Sequence, residues 1–392
     1  MKFSFADVVR APKLGFSAKK IWVGFLGLLF GTIVYSVLAY VAFVITPGWT
    51  WQSVWREYRY IPYLVIPFRG VGDHMPWYSW TIWAIGIILF VFIVLTALCA
   101  IGKLTFEQLK GNEFYEIMES VKFAVKQWKG TLLSPVVLAI FIASLLLIGF
   151  IWGLVGRIPY AGQILTGLFF IPIAFGALFV VYLAIVFVLS LIISPAVTAT
   201  TESDTFDTLF EVFSCLNDQT WRVVLWEIYV GFAGLAGIYI LGWLMKKALL
   251  LMQWALALWQ GPRHWWDIIW NNALWYLPKC PPVRWVEWFV VKYLHLPVLL
   301  KIGVNWMQTN WADWIGSFLG GLSLYMLGFF VLAYGLATWG AGQTLIYTVL
   351  VKIKDEKDLI EEAKEKEEEE LEVEEEKEEE KKEETKEEEK KE

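Results

Sequence analysis

Long apolar stretches alternate with short polar connections along the first 350 residues of this chain. Six of them, 21–46, 80–102, 131–155, 164–194, 223–244 and 315–351, are nearly free of charge and bounded by Trp, Lys, Arg, Gly or Pro. A bilayer core of about 30 Å needs roughly 20 apolar residues in a helix. Each stretch therefore predicts a membrane span, and the chain as a whole predicts an all-α integral membrane protein. The fourth stretch is overlong and contains Pro172, which predicts a kinked or re-entrant start. The sixth is overlong too and predicts a helix running on beyond the bilayer. The opening MKFSFADVVRAPKLGFSAKK superficially resembles a signal peptide. The apolar run after it is longer than a signal h-region and no A-x-A site follows, so it reads as the first retained span.

Three of the connections share a second pattern. Phe5, Val8 and Val9 lead through Lys19 and Lys20 to Trp22. Phe114, Ile117, Met118 and Val121 lead to Trp128 and Lys129, and Phe206, Leu209, Phe210 and Phe213 lead to Trp221 and Arg222. Apolar residues at i, i+3, i+4 and i+7 form one stripe of an amphipathic helix. A Trp with a basic neighbour marks the membrane–water interface. The body then reads as three copies of one unit, an interfacial helix followed by a transmembrane hairpin, in one shared orientation. Phe206, Leu209, Phe210 and Phe213 are the candidate interfacial packing residues, expected to pack on the ends of the spans or to enter the headgroup layer.

The stretch SPAVTATTESDTFDTLFEVFSCL places Pro195 at the end of a span, then Glu202, then an amphipathic helix. It resembles the polytopic membrane domain found with some bacterial glycerophosphoryl diester phosphodiesterases and related stand-alone membrane proteins of unknown role. The specific match covers about 25 residues, with looser repeat-level similarity over residues 1–350. The resemblance implies a fold type and a bacterial inner or cytoplasmic membrane. It implies no activity, because the soluble phosphodiesterase barrel and its catalytic residues are absent.

Charge refines this picture. Residues 355–392 carry 23 acidic residues against nine Lys, while residues 1–354 carry 24 basic against 16 acidic. A basic polytopic body, 1–354, thus precedes a Glu/Lys-rich low-complexity tail, 355–392. The tail has no aromatics and no apolar stripe, so it is read as solvated, or as a docking arm for a basic protein partner. A basic body suits anionic lipid headgroups. No soluble basic domain exists to bind nucleic acid. Five Lys or Arg precede the first span and five lie in 103–130, against three in 47–79 and one in 156–163. By the positive-inside rule both termini are cytoplasmic. The 245–314 connection carries seven and argues the other way, but at about 70 residues it is long for the rule.

That connection also holds eleven of the 24 Trp. Trp266, Trp270, Ala273 and Leu277 follow helical spacing, while Pro278, Pro281 and Pro282 divide the segment. Lys246 and Lys247 end the fifth span. The segment reads as short helices on the outer leaflet that anchor the protein as an aromatic belt, or that form a lateral site for a lipid or a partner.

Candidate chemistry is sparse. The chain lacks a phosphate loop, HExxH, GxSxG and CxxC motifs. Three Cys give no disulfide framework and no metal-ligand spacing. His74, His264 and His295 all fall outside the spans, which argues against haem or pigment ligation. No catalytic, metal or cofactor residues are assigned. Glu227 is the single acid well inside a predicted span. It lies five residues past Arg222, so it either pairs with Arg222 at the interface or is a buried functional carboxylate. Gln343, with Gln163, Thr338 and Thr344, is the other candidate polar group. Gly27 and Gly31, Gly149 and Gly153, and Gly316 and Gly320 offer close helix approach within the protein or between copies. The expected role is non-enzymatic: organising or assisting other membrane components, with lipids, a tail-bound protein or a second copy as partners. The alternative is a transporter or channel for a neutral or lipophilic solute. A membrane-embedded lipid enzyme would have to use Glu202, Asp204, Asp207 and His295, which the topology divides between the two sides.

Overall fold

The computed structural model describes residues 3–62, 75–259, 264–277, 292, 306, 307, 309–366, 368 and 369. Along the chain run α1 (Phe5–Val8), α2 (Ala11–Gly15), α3 (Ala18–Ile45), α4 (Trp51–Tyr58), α5 (Trp77–Lys110), α6 (Ile117–Lys126), a π-helical turn (Lys129–Leu133), α7 (Ser134–Val155), α8 (Ala161–Leu168), α9 (Phe170–Thr201), α10 (Thr205–Ala257), α11 (Trp265–Trp275) and α12 (Trp311–Asp355). No strand occurs among the described residues. Six helices are long and apolar enough to cross a membrane: α3, α5, the π-turn continued by α7, α9, α10 and α12. They fall on the six predicted stretches, and the chain is an all-α membrane protein.

Two helix ends, at Pro195 and at Lys246, differ from expectation. Pro195 does not end its helix. α9 continues to Thr201 and stops at Glu202, whose left-handed φ of 56° turns the chain. A proline costs one backbone hydrogen bond inside a helix, and the buried packing around it holds the last turns in place. The overlong 164–194 stretch has the broken start its Pro172 predicts: the chain breaks at Phe169, and Pro172 falls in the first turn of α9, where proline is tolerated. Lys246 and Lys247 do not end their helix, since α10 runs on to Ala257. As predicted, the third interfacial helix and the fifth span are distinct, and they meet within Thr205–Ala257 at a kink at Gln219, where φ is −133°.

Two compact units divide the chain. One comprises Pro12–Ile101 and Tyr229–Trp339. Here α3 approaches α5 closely enough that a Cβ on Gly27 would lie 2.5 Å from Ala97 Cβ. Ile21, Ala333, Tyr334 and Ala337 form a core with Phe25, Leu28 and Leu241 packed on it. Trp270, Ala273, Leu274 and Leu277 bury against Leu249, Leu324 and Tyr325. Trp254, Trp259 and Trp311 are exposed. Among its described residues the Trp-rich segment thus contributes Trp to both a core and a surface. Beside it, Tyr60 Oη donates to the Phe318 carbonyl at 2.8 Å. The Arg59 guanidinium lies 3.6 Å from the centre of the Trp275 ring. Burial, aided by the neighbouring Tyr276, holds the Tyr60 phenol well above its ordinary range.

The other unit comprises Met1–Ala11, Gly102–Ile228 and Gly340–Glu392. The ends of α5, α9 and α12, the second helix of each predicted hairpin, converge in it. A Cβ on Gly102 would stand 2.9 Å from Ala199 Cβ and 3.2 Å from Thr344 Oγ1. Small residues make this approach possible, and dispersion between close backbones is what such packing gains in a membrane. The start of the tail is helical over 359–366, as its Glu and Lys content favours, and one of its few apolar residues, Leu359, is buried instead of solvated. His74, Cys280, Trp285, Trp288, His295 and the tail beyond 369 lie outside the described residues.

Candidate functional site

The acid in the fifth span meets the glutamine of the sixth. Gln343 Nε2 donates to Glu227 Oε2 at 2.6 Å. Glu227 does not pair with Arg222, which donates instead to Gln219 Oε1 at 2.6 Å and stacks 5.0 Å from the Trp221 ring. The helix break explains the difference. Gln219 leaves helical geometry just before Arg222, so its side chain is placed to accept the guanidinium. Gln343 is 2% exposed. The second oxygen of each partner, Glu227 Oε1 and Gln343 Oε1, is buried without a hydrogen-bond partner. Thr344, next to Gln343, bonds back to the Gly340 carbonyl at 3.0 Å. Thr338 is fully buried in the other unit. Gln163 is far from this pair in the fold's wiring. It lines an open cleft of about 570 Å³ at the α7–α8–α9 turn with Trp152, Arg157, Thr166 and Phe170.

A second polar cluster occupies the end of α5. Lys103, Glu107 and Lys110 follow one another at i, i+4 and i+7. Lys110 Nζ lies 2.8 Å and Lys103 Nζ 3.3 Å from Glu107 Oε1. Lys103 also reaches Glu202 Oε1 at 3.0 Å. Its ammonium sits 4.5 Å from the Phe123 ring of α6. Burial, reinforced by the negative charges of Glu107, Glu119 and Glu202, pushes the nearby Tyr115 phenol up to about 12. The acid of the Pro195–Glu202 motif is thus the residue that ties the end of α9 to the end of α5. In the sequence pattern Lys103 and Lys110 stand out only as positive charges of the 103–130 connection. Their alternation with Glu107 on one helix face was the available signal.

A third tie joins α12 to α10. Lys354 Nζ contacts Glu211 Oε2 at 3.0 Å, Ser214 Oγ at 2.9 Å and Asp355 Oδ2 at 3.1 Å. On this part of α10 the buried face is Thr208, Val212, Cys215 and Leu216. Phe206 and Phe210 are exposed, and Leu209 and Phe213 are half-buried. α6 repeats the arrangement. Ser120 and Ala124 are buried, whereas Phe114, which precedes the helix, and Met118 are exposed. Small residues face the protein and the large apolar ones face away.

α7 is the barest of the long helices: its apolar stretch is 6% buried, against 39% for α5. Nothing lies within 4 Å of a Cβ placed on Gly149 or Gly153, so this small-residue pair is unoccupied, unlike Gly27 and Gly31. Among the described residues no group of three or more His, Cys, Asp or Glu side chains could hold a metal ion.

Against known proteins, no family, no curated protein and no solved structure matches the chain.

Proposed function

We propose that this chain is a non-enzymatic membrane protein that organises or assists other membrane components. The observation that carries the reading is the α7–α9 hairpin, whose Gly149 and Gly153 lie open on a nearly unburied apolar surface. A smooth small-residue face inside a bilayer suits close approach by another transmembrane helix. The exposed Phe206 and Phe210 suit a seat in the headgroup layer. The Lys and Arg distribution supports cytoplasmic termini, and the acidic tail suits a basic cytoplasmic partner. The test is a photoreactive residue placed at Gly149 or Leu147, with one at the buried Leu138 as control. Irradiation of native membranes should give one discrete protein adduct from the first two positions and none from the control. Adducts with lipid alone would remove the basis of the reading. A second copy of this chain as the adduct would narrow the role to self-assembly.

A second reading, a transporter or channel for a neutral or lipophilic solute, is favoured by the polar contact between Glu227 and Gln343 inside two spans. Solute uptake into liposomes reconstituted with the wild type, and its loss in Gln343→Leu, would separate it from the first.

A further inference from the structure

An intramembrane carboxyl is costly unless paired or neutralised, and each buried polar atom without a partner calls for an explanation. Glu227 and Gln343 share one hydrogen bond and keep one bare oxygen each. The bonded pair thus holds two buried acceptors without a donor. The surrounding helices do not supply one. On α10, Arg222 is committed to Gln219. α1 comes alongside through Phe5 and Trp226, with ring centroids 6.2 Å apart, and its Asp7 is paired with Arg10 at 3.5 Å. On α12, Tyr347 hydrogen-bonds Glu211, and Lys354 is held by Glu211 and Asp355. Lys352 donates to the Glu356 carbonyl at 3.0 Å. At the end of α5, Lys103 is held by Glu107 and Glu202. Among the described residues each of these cations is engaged elsewhere.

We propose that Glu227 and Gln343 form a proton-binding site. One proton taken from water onto Glu227 Oε1 becomes the missing donor, and Gln343 Oε1 accepts it. With the existing Nε2–H···Oε2 bond this closes a cyclic acid–amide pair. Both bare oxygens are satisfied by a single proton, and the net charge of the pair falls from −1 to zero. A metal cation fits less well. The pair offers two oxygens, and the neighbouring Thr344 hydroxyl is already bonded to its own helix. The site does not depend on the accessory reading above, and it gives the protein a protonation state that couples α10 to α12.

Infrared spectroscopy of the full-length protein in nanodiscs tests this. At neutral pH the wild type should show the carbonyl band of a protonated, hydrogen-bonded carboxylic acid, shifted in D2O. Glu227→Gln should abolish that band while remaining folded, because two amides make the same ring without a proton. Gln343→Leu should keep the band and move it to the frequency of a free acid. Replacing sodium by choline should leave both the band and the melting temperature unchanged. The proposal fails if Glu227→Gln leaves the neutral-pH carbonyl region unaltered, or if Gln343→Leu does not move the band. Stabilisation by sodium would likewise overturn it, in favour of a metal ion.

Discussion

Gly102 and Ala199 touch so closely that neither helix could carry a larger side chain there. A Cβ on Gly102 would sit 2.9 Å from Ala199 Cβ, inside the range that real contacts avoid. Gly102→Val should therefore force α5 and α9 apart and cost about 1–3 kcal/mol, the usual range for overpacking. Gly149→Val, on the bare hairpin, should cost little in detergent. Thermal unfolding of the two variants side by side checks this, and equal melting temperatures would refute the convergence of helix ends.

The charged cluster on α5 separates a buried acid from an exposed one. Glu107 is 4% exposed between two ammonium groups, while Glu202 is 54% exposed. Removing one partner of a buried ion pair leaves the other charge uncompensated and costs about 3–5 kcal/mol. An exposed pair is worth about 1 kcal/mol or less. Glu107→Gln should thus be strongly destabilising and Glu202→Gln nearly silent. Denaturant titration of both variants reads the difference, and a larger loss for Glu202→Gln would reverse the assignment.

Exposure along the start of α10 sets a contrast that depends on the surrounding medium. Val212 is 1% exposed and Phe210 is 69% exposed. Burying such a side chain is worth about 1.5–3 kcal/mol. Val212→Glu should lower the melting temperature in detergent and in nanodiscs alike. Phe210→Glu should matter only where a lipid headgroup layer receives the ring. Loss of stability by Phe210→Glu in both media would return the phenylalanine stripe to the protein core.

Orientation rests on charge counting and has its own check. In a variant stripped of its native Cys, a Cys at the exposed Tyr160 should react with an impermeant reagent added from outside. One at the exposed Asn112 should not. The reverse pattern would invert the topology.

All six spans were legible in the sequence, because about 20 apolar residues in a row have few alternatives to crossing a bilayer. Helix ends were less so. Lys246 and Pro195 looked like terminators, yet α10 and α9 continue through them. A backbone hydrogen-bond ladder outweighs one charge or one missing N–H when the neighbouring helices pack tightly. The amphipathic stripes were found, but their facing could not be read. Hydrophobic periodicity marks a face that avoids water, and lipid serves that purpose as well as protein does. The contact residues Ser120, Ala124, Thr208 and Cys215 are too small and mild to stand out in such a pattern. Glu227 and Gln343 were each singled out, but their meeting was not, because they are 116 positions apart.

That separation fixes an order of events at the ribosome. Glu227 enters the membrane long before Gln343 has been synthesised, so α10 is inserted with its acid unanswered. The seat at Gly102 likewise waits for both Ala199 and Thr344. Until α12 arrives, the nascent protein holds a carboxyl group without its hydrogen-bond donor and an unfilled packing site at Gly102. The last long helix therefore completes both the polar contact and the close packing of this unit.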